Sequence, residues 1–76
     1  MTIGERIKEL RKEKGVSQMK LAKEIGYTQP AINDWEIGKR RPIIDAVIAL
    51  AQFFDVSSDY LWGVRARGRL KSQKQL

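Results

Sequence analysis

The 76-residue sequence contains no cysteine and no histidine. Disulfide bonds and thiolate metal sites are therefore excluded, as are metal sites and acid–base catalysis that depend on an imidazole. Proline occurs only twice, and no apolar run approaches the roughly 20 residues that a membrane-spanning helix needs. We therefore expect no association with a membrane. The carboxylates are scattered along the chain without an acid–base pair, so we also expect no enzyme and no cofactor or small-molecule ligand.

The size and the N-terminus set further expectations. A chain of 8.7 kDa has room for one domain around one small core. The first residues are amphipathic and include Glu5 and Glu9. Because a secretory signal peptide has an apolar core free of such charges, we expect a cytoplasmic protein.

Positive charge is distributed unevenly along the chain. The net charge is +6, but residues 1–64 hold ten basic and nine acidic side chains, whereas residues 65–76 hold five basic side chains and no acid. This contrast predicts a folded domain over 1–63 and a basic, flexible tail over 64–76. A basic segment without acids suits a polyanion, either a nucleic acid or an anionic membrane surface.

The spacing of apolar residues is helical and predicts an all-α domain of five helices. Capping residues mark where the helices start, and glycines mark where most of them end. The predicted starts are Thr2, Ser17, Thr28, Ile43 and either Ser57 or Ser58, and the predicted ends are Gly15, Gly26, Gly38, Phe54 and Gly63. Asp55 and Val56 are expected to form a turn. The fourth helix is expected to bury Ile44, Val47, Leu50, Ala51 and Phe54.

Residues 17–38 are the most informative part of the sequence. They predict two short helices joined only by Gly26, Tyr27 and Thr28. So short a link forces the second helix to cross the first steeply, in a helix-turn-helix arrangement that leaves one face of the second helix exposed. The DNA major groove, about 12 Å wide, accepts such a helix.

Three sequence strings carry a family resemblance. They are Ser17-Gln18-x-x-Leu21-Ala22-x-x-x-Gly26, Ile32-x-x-Trp35-Glu36-x-Gly38-Lys39-x-x-Pro42 and Val56-Ser57-x-Asp59-Tyr60-Leu61-x-Gly63. In this order and at these separations, they resemble the lambda-repressor-like, Cro/CI-type helix-turn-helix proteins of the Xre family. The resemblance covers residues 3–63. It implies a compact five-helix domain with its helix-turn-helix at helices 2 and 3, which commonly binds double-stranded DNA operators as a homodimer.

The resemblance also implies roles for single residues. Expected base contacts are Gln29, Pro30, Asn33 and Asp34. Expected phosphate contacts are Gln18, Thr28, Lys39, Arg40 and Arg41, and Gln18 is also expected to brace the recognition helix. Gln29 could pair with an adenine edge, and Asn33 could reach a base or a phosphate. Pro30 and Asp34 depart from the family pattern: Pro30 offers only an apolar contact, and Asp34 could accept from a cytosine amine or pair with a nearby cation. Trp35 is expected in the core, and Glu36 is expected to pair within the domain.

Aromatic residues near the end of the domain suggest an interface between two copies. Tyr60 and Trp62 flank Leu61, which fits the core, so they are expected to face partly outward. Ile48 and Phe53 of the fourth helix could extend the same patch. In the alternative interpretation, Trp62 folds back over the fourth helix and completes the core.

Three classes of function remain open from the sequence. The favoured one is a transcriptional regulator of phage or bacterial type, a repressor by default because the chain has no room for an effector domain. The second is a protein-binding module, such as an antitoxin or adaptor, which Pro30 and Asp34 would favour. The third is a polyanion or membrane-surface binder that acts through the tail alone.

Overall fold

A computed structural model describes residues 1–63 as five α-helices in sequence. They are α1 (Ile3–Lys14), α2 (Gln18–Ile25), α3 (Gln29–Ile37), α4 (Ile44–Phe54) and α5 (Ser58–Trp62). The predicted all-α fold is confirmed. The predicted tail over 64–76 lies outside the described residues.

Local capping explains where the helices begin. Thr2 Oγ1 accepts from the backbone N–H of Glu5 at 3.1 Å, and Glu5 Oε1 accepts from the backbone N–H of Thr2 at 2.9 Å, which completes the predicted capping box. Ser17, Thr28 and Ser57 each accept a backbone N–H three residues later. At the start of α4, Ile43 makes no side-chain cap, so that helix depends on packing for its position.

Among residues 1–63, the core is apolar apart from one charged residue. Its apolar members are Ile3, Ile7, Leu10, Leu21, Ala22, Ile32, Trp35, Ala46, Val47, Leu50, Ala51, Phe54, Val56 and Leu61. The charged member is Glu36, whose partner is described below. Trp35 was correctly predicted to lie in this core.

Two details of the fourth helix differ from the sequence prediction. Ile44 was predicted to be buried, but 61% of it is exposed, while Ala46 and Val56 are fully buried. At 100° per residue, Ile44 lies about a quarter-turn from the centre of the stripe that α4 buries, and it falls in the first turn of the helix. Val56 follows the helix rather than belonging to it, and it inserts into the core from the turn.

Gly4 sets how closely α1 approaches α3. A Cβ atom at this position would lie 1.9 Å from the backbone oxygen of Trp35 and 3.1 Å from that of Glu36. The missing side chain therefore lets the start of α1 touch the backbone of α3 directly. This contact positions α3 on the side opposite to its exposed face.

Candidate nucleic-acid interface

The turn between α2 and α3 consists of three residues and orients α3. Gly26 ends α2 in the left-handed conformation, with φ of 81°, and its N–H donates to the carbonyl of Ala22 at 2.9 Å. A residue with a Cβ would be strained at that φ. Thr28 then caps α3, and the ring of Tyr27 packs edge-on against Trp35 with ring centroids 5.3 Å apart. The turn is thus held both by its backbone and by the core.

The helix α3 has a buried side and an outward stripe. Ile32 and Trp35 are buried against the other helices. The outward stripe, spaced three and four residues apart on one face of the helix, consists of Pro30, Asn33, Asp34 and Ile37. Three of these four residues were predicted to contact bases. Ile37 was missed, although it is 65% exposed and its spacing from Pro30 and Asn33 in the sequence would have revealed it.

A part-buried polar network centred on the buried Glu36 joins α3 to α1 and α2. Both carboxylate oxygens of Glu36 accept from Arg11, Oε2 from Nε at 2.6 Å and Oε1 from Nη2 at 3.0 Å. Gln18 Nε2 donates to Glu36 Oε1 at 2.9 Å and to Asn33 Oδ1 at 3.2 Å. Gln29 Nε2 in turn donates to Gln18 Oε1 at 2.5 Å. The expected pairing of Glu36 within the domain is confirmed. Two predicted DNA contacts, Gln29 and Asn33, are each hydrogen-bonded to a third, Gln18.

Asp34 pairs with a cation of the loop that follows α3. Its Oδ2 lies 3.4 Å from Nε of Arg40, whose side chain is 73% exposed. The backbone carbonyl of Asp34 also accepts from the N–H of Lys39 at 2.9 Å. Of the two sequence interpretations of Asp34, the ion pair is therefore the one present in this structure. The pair neutralises part of the positive charge beside α3.

The loop cations Lys39, Arg40 and Arg41 are all exposed and lie at the C-terminal end of α3. The guanidinium of Arg41 lies over the ring of Trp62, with Cζ 5.8 Å from the ring centroid. Trp62 is half-buried and packs against the core. This packing agrees with the interpretation in which Trp62 folds back, but its partner is the loop after α3 as well as the core.

The other candidates for a dimer interface lie in different places. Tyr60 packs beneath the guanidinium of Arg6, whose Cζ is 4.5 Å from the ring centroid, and Phe53 lies beside Lys14. Ile48 is 45% exposed and lines a groove with the turn after α4. Residues five apart on a helix point about 140° apart. Ile48 and Phe53 therefore face different sides of α4 and do not form one continuous patch.

A family model described as helix-turn-helix matches residues 7–61. The chain belongs to the helix-turn-helix family. The match covers all five helices in whole or in part, and it confirms the resemblance to the Cro/CI-type, Xre-family proteins that the sequence motifs indicated.

Individual helix-turn-helix proteins are similar over most of the chain. The uncharacterised HTH-type transcriptional regulator YqaE of Bacillus subtilis is 39% identical over 57 residues, which are 75% of this chain and 49% of that protein. The P22 c2 repressor, solved in complex with a synthetic operator, superposes with a TM-score of 0.77 at 34% identity, covering 80% of this chain and 92% of that one. SinR, solved in complex with DNA, gives a TM-score of 0.74 at 34% identity, covering 79% and 97%. The chain spans about half the length of the first curated relatives that it matches.

Among residues 1–63, no helix is both long and apolar enough to cross a membrane. The same residues contain no cluster of acidic side chains suited to holding a metal ion.

Proposed function

We propose that this chain is a sequence-specific transcriptional regulator that binds double-stranded DNA and reads the major groove with α3. The observation that carries the proposal is the outward stripe of α3. It stands clear of the core, its helix is fixed from behind by Gly4, and three exposed cations follow it. A major groove accepts a helix presented in this way, and flanking cations suit the phosphates on its rim.

The comparisons support the same function. The P22 c2 repressor and SinR are similar over about four fifths of this chain, and each was solved with DNA. YqaE is named as a transcriptional regulator. In this proposal the chain acts by occupying its operator, as a repressor in the cytoplasm.

The side chains divide into those that read bases and those that position the protein. Gln29, Pro30, Asn33 and Ile37 read base edges, the two amides through hydrogen bonds and the two apolar residues through thymine methyl groups. The phosphate contacts come from Thr28, Lys39 and Arg41, and from the backbone N–H groups at the start of α2 beside Gln18, whereas Arg40 is held by Asp34. Asp34 acts mainly by holding Arg40, rather than by touching a cytosine.

Two copies bind together at one operator. If their α3 helices enter successive major grooves on one side of the duplex, the half-site centres lie about 34 Å, or ten base pairs, apart. Of the four interface candidates, Ile48 is the most exposed, and we place it in the contact between the copies.

The test is the selection of bound sites from a random pool of duplex DNA at physiological salt. The expected product is an imperfect palindrome with half-site centres about ten base pairs apart. A single half-site bound one to one at full affinity contradicts the dimer. Enrichment of no sequence contradicts the function itself: salt-sensitive binding to every sequence points to the basic tail, and no binding at all points to a protein-binding module.

A further inference from the structure

We infer that Glu36 is a positioning residue that sets the hydrogen-bonding direction of three amides, Gln18, Gln29 and Asn33, and thereby the base preference of Gln29. The inference deepens the proposed function and rests on it, because base preference has meaning only if α3 reads DNA. Glu36 itself is buried, and its side chain is 2% exposed, so it acts through the other residues.

The first step is the ion pair. Glu36 Oε1 and Oε2 accept from Arg11 Nη2 and Nε at 3.0 and 2.6 Å, and the Arg11 side chain is 12% exposed. Arg11 Nη1 also donates to the carbonyl of Val16 at 3.0 Å. An ionised carboxylate only accepts hydrogen bonds, and a guanidinium only donates them. Every other group that faces Glu36 must therefore be a donor.

The second step is Gln18. Its Nε2 lies 2.9 Å from Glu36 Oε1. The reverse orientation would place the amide oxygen against the carboxylate, which would leave two acceptors in contact without a proton between them. Glu36 therefore fixes which end of the Gln18 amide points inward. The second N–H of Gln18 goes to Asn33 Oδ1 at 3.2 Å, so both of its amide protons are used within the domain.

The third step is Gln29, whose amide orientation at the surface of α3 is set by Gln18. Gln18 Oε1 faces outward and accepts from Gln29 Nε2 at 2.5 Å. Gln29 is left with its amide oxygen and one N–H. Asn33, which accepts through its oxygen, is left with its Nδ2 protons. One buried carboxylate thus determines what each of these two amides can offer to a ligand.

The acceptor and the donor that remain on Gln29 match the major-groove edge of adenine. The major-groove edge of adenine offers one donor, at N6, and one acceptor, at N7, whereas guanine offers two acceptors, at N7 and O6. One oxygen and one N–H satisfy adenine. A Gln29 amide turned the other way would present two N–H groups and would suit guanine instead.

The experiment compares Glu36→Gln with Arg11→Lys. A glutamine at position 36 keeps the shape but can present an N–H to Gln18, which allows all three amides to reverse. Arg11→Lys weakens the same ion pair but leaves Glu36 as an acceptor, so it controls for lost stability. The binding of each variant is measured on selected operators that carry adenine or guanine at the position read by Gln29, at a temperature where thermal unfolding shows both variants to be folded.

The wild-type protein is expected to prefer adenine by roughly 5- to 150-fold, the range for one good bidentate contact. Glu36→Gln is expected to lower that ratio about tenfold, or to about one where the wild-type ratio is smaller. Arg11→Lys is expected to leave the ratio unchanged while lowering the midpoint of thermal unfolding. An unchanged ratio in Glu36→Gln, or an equal loss in Arg11→Lys, overturns the inference.

A second readout needs no DNA and no variant. In NMR spectra of the wild-type protein, the side-chain amide protons of Gln18 are expected to exchange with solvent about tenfold or more slowly than those of the exposed Gln52, since hydrogen bonds to charged groups are among the stronger ones. Equal exchange in Gln18 and Gln52 overturns the inference that Glu36 orients the amides, even if Glu36→Gln fails to fold. Slow exchange in Gln18 of a protein that selects no DNA sequence contradicts the proposed function but supports the orientation of the amides by Glu36.

Discussion

Two parts of this small domain, the packing of α4 and α5 and the contacts among α1, α2 and α3, are stabilised by different kinds of interaction. Where α4 and α5 meet the rest of the molecule, the buried side chains are apolar, among them Val47, Leu50 and Leu61. Where α1, α2 and α3 meet, a buried ion pair and a chain of amides accompany the apolar contacts. Apolar packing depends on volume and not on direction, whereas hydrogen bonds fix orientation. The half that presents α3 is the half that contains the directional interactions.

The largest expected effect comes from the apolar half. Leu50→Ala should lower the free energy of unfolding by about 2–5 kcal/mol, because it removes a fully buried side chain and leaves a cavity. Chemical denaturation measures this loss. At a temperature where the variant is still folded, its base preferences should equal those of the wild-type protein. Altered preferences would show that the two halves are not separable in this way.

A comparable but smaller loss is expected in the polar half. Arg11→Met leaves Glu36 buried without its cation and should cost about 3 kcal/mol, the lower end of the range for a broken buried pair, since Arg11 retains some exposure. Replacing both partners, in Arg11→Met with Glu36→Leu, should recover much of that stability. Denaturant titrations of the two single variants and the double variant complete the cycle. If the double variant is as unstable as Arg11→Met, the pair contributes more than the burial of its charges costs.

The next effect concerns binding rather than folding. Gln29→Ala should reduce affinity for the selected operator by about 1–3 kcal/mol and relax the preference at one base position. Arg41→Ala should weaken binding to all sequences alike. Gln52→Ala, which changes an exposed glutamine of α4, is the matched control and should bind as the wild-type protein does. A base-preference profile that Gln29→Ala leaves intact would show that α3 is not the reading helix.

The smallest expected effect is at the edge of the interface. Asp34→Asn removes a partly exposed ion pair with Arg40 and should change stability by less than about 1 kcal/mol. It releases Arg40 for a phosphate, so the slope of log affinity against log salt should steepen by about 0.9 on duplex DNA. Affinity measured across a salt series checks this. An unchanged slope would mean that Arg40 already contacts the backbone or never does.

Local signals in the sequence predicted the helices well. The site was predicted only in part, because it depends on contacts between residues that are far apart in the sequence. Thr2 with Glu5, and Gly26 with Thr28, act over a few residues, so their capping roles could be recognised from the sequence. The pairing of Arg11 with Glu36 spans 25 residues. The pairing of Glu36 within the domain was predicted, and the family resemblance implied that Gln18 braces α3. Neither Arg11 as the partner of Glu36 nor the amide groups that Gln18 contacts were predicted, because they depend on how three helices pack.

Errors in the apolar pattern have the same origin. Ile44 is as apolar as Val47, and helical spacing alone allowed both to be buried. Which of them enters the core depends on how α4 is rotated against α1 and α2, and that rotation follows from volumes that a periodicity does not contain. Val56 was assigned to a turn, which is correct for its backbone but not for its side chain. Ile37 was not predicted because an apolar residue of a helix was expected in the core rather than in the outward stripe of α3.

The contact between Gly4 and the backbone of Trp35 limits the sequences that this domain can adopt. Almost every exposed position of α1 accepts many side chains, but a Cβ atom at position 4 would lie 1.9 Å from a carbonyl oxygen that cannot move without moving α3. A library randomised at position 4 and sorted for folded protein should therefore return almost only glycine. The same library made at the neighbouring Glu5 should return many residues, so the tolerance for substitution changes completely between two adjacent positions.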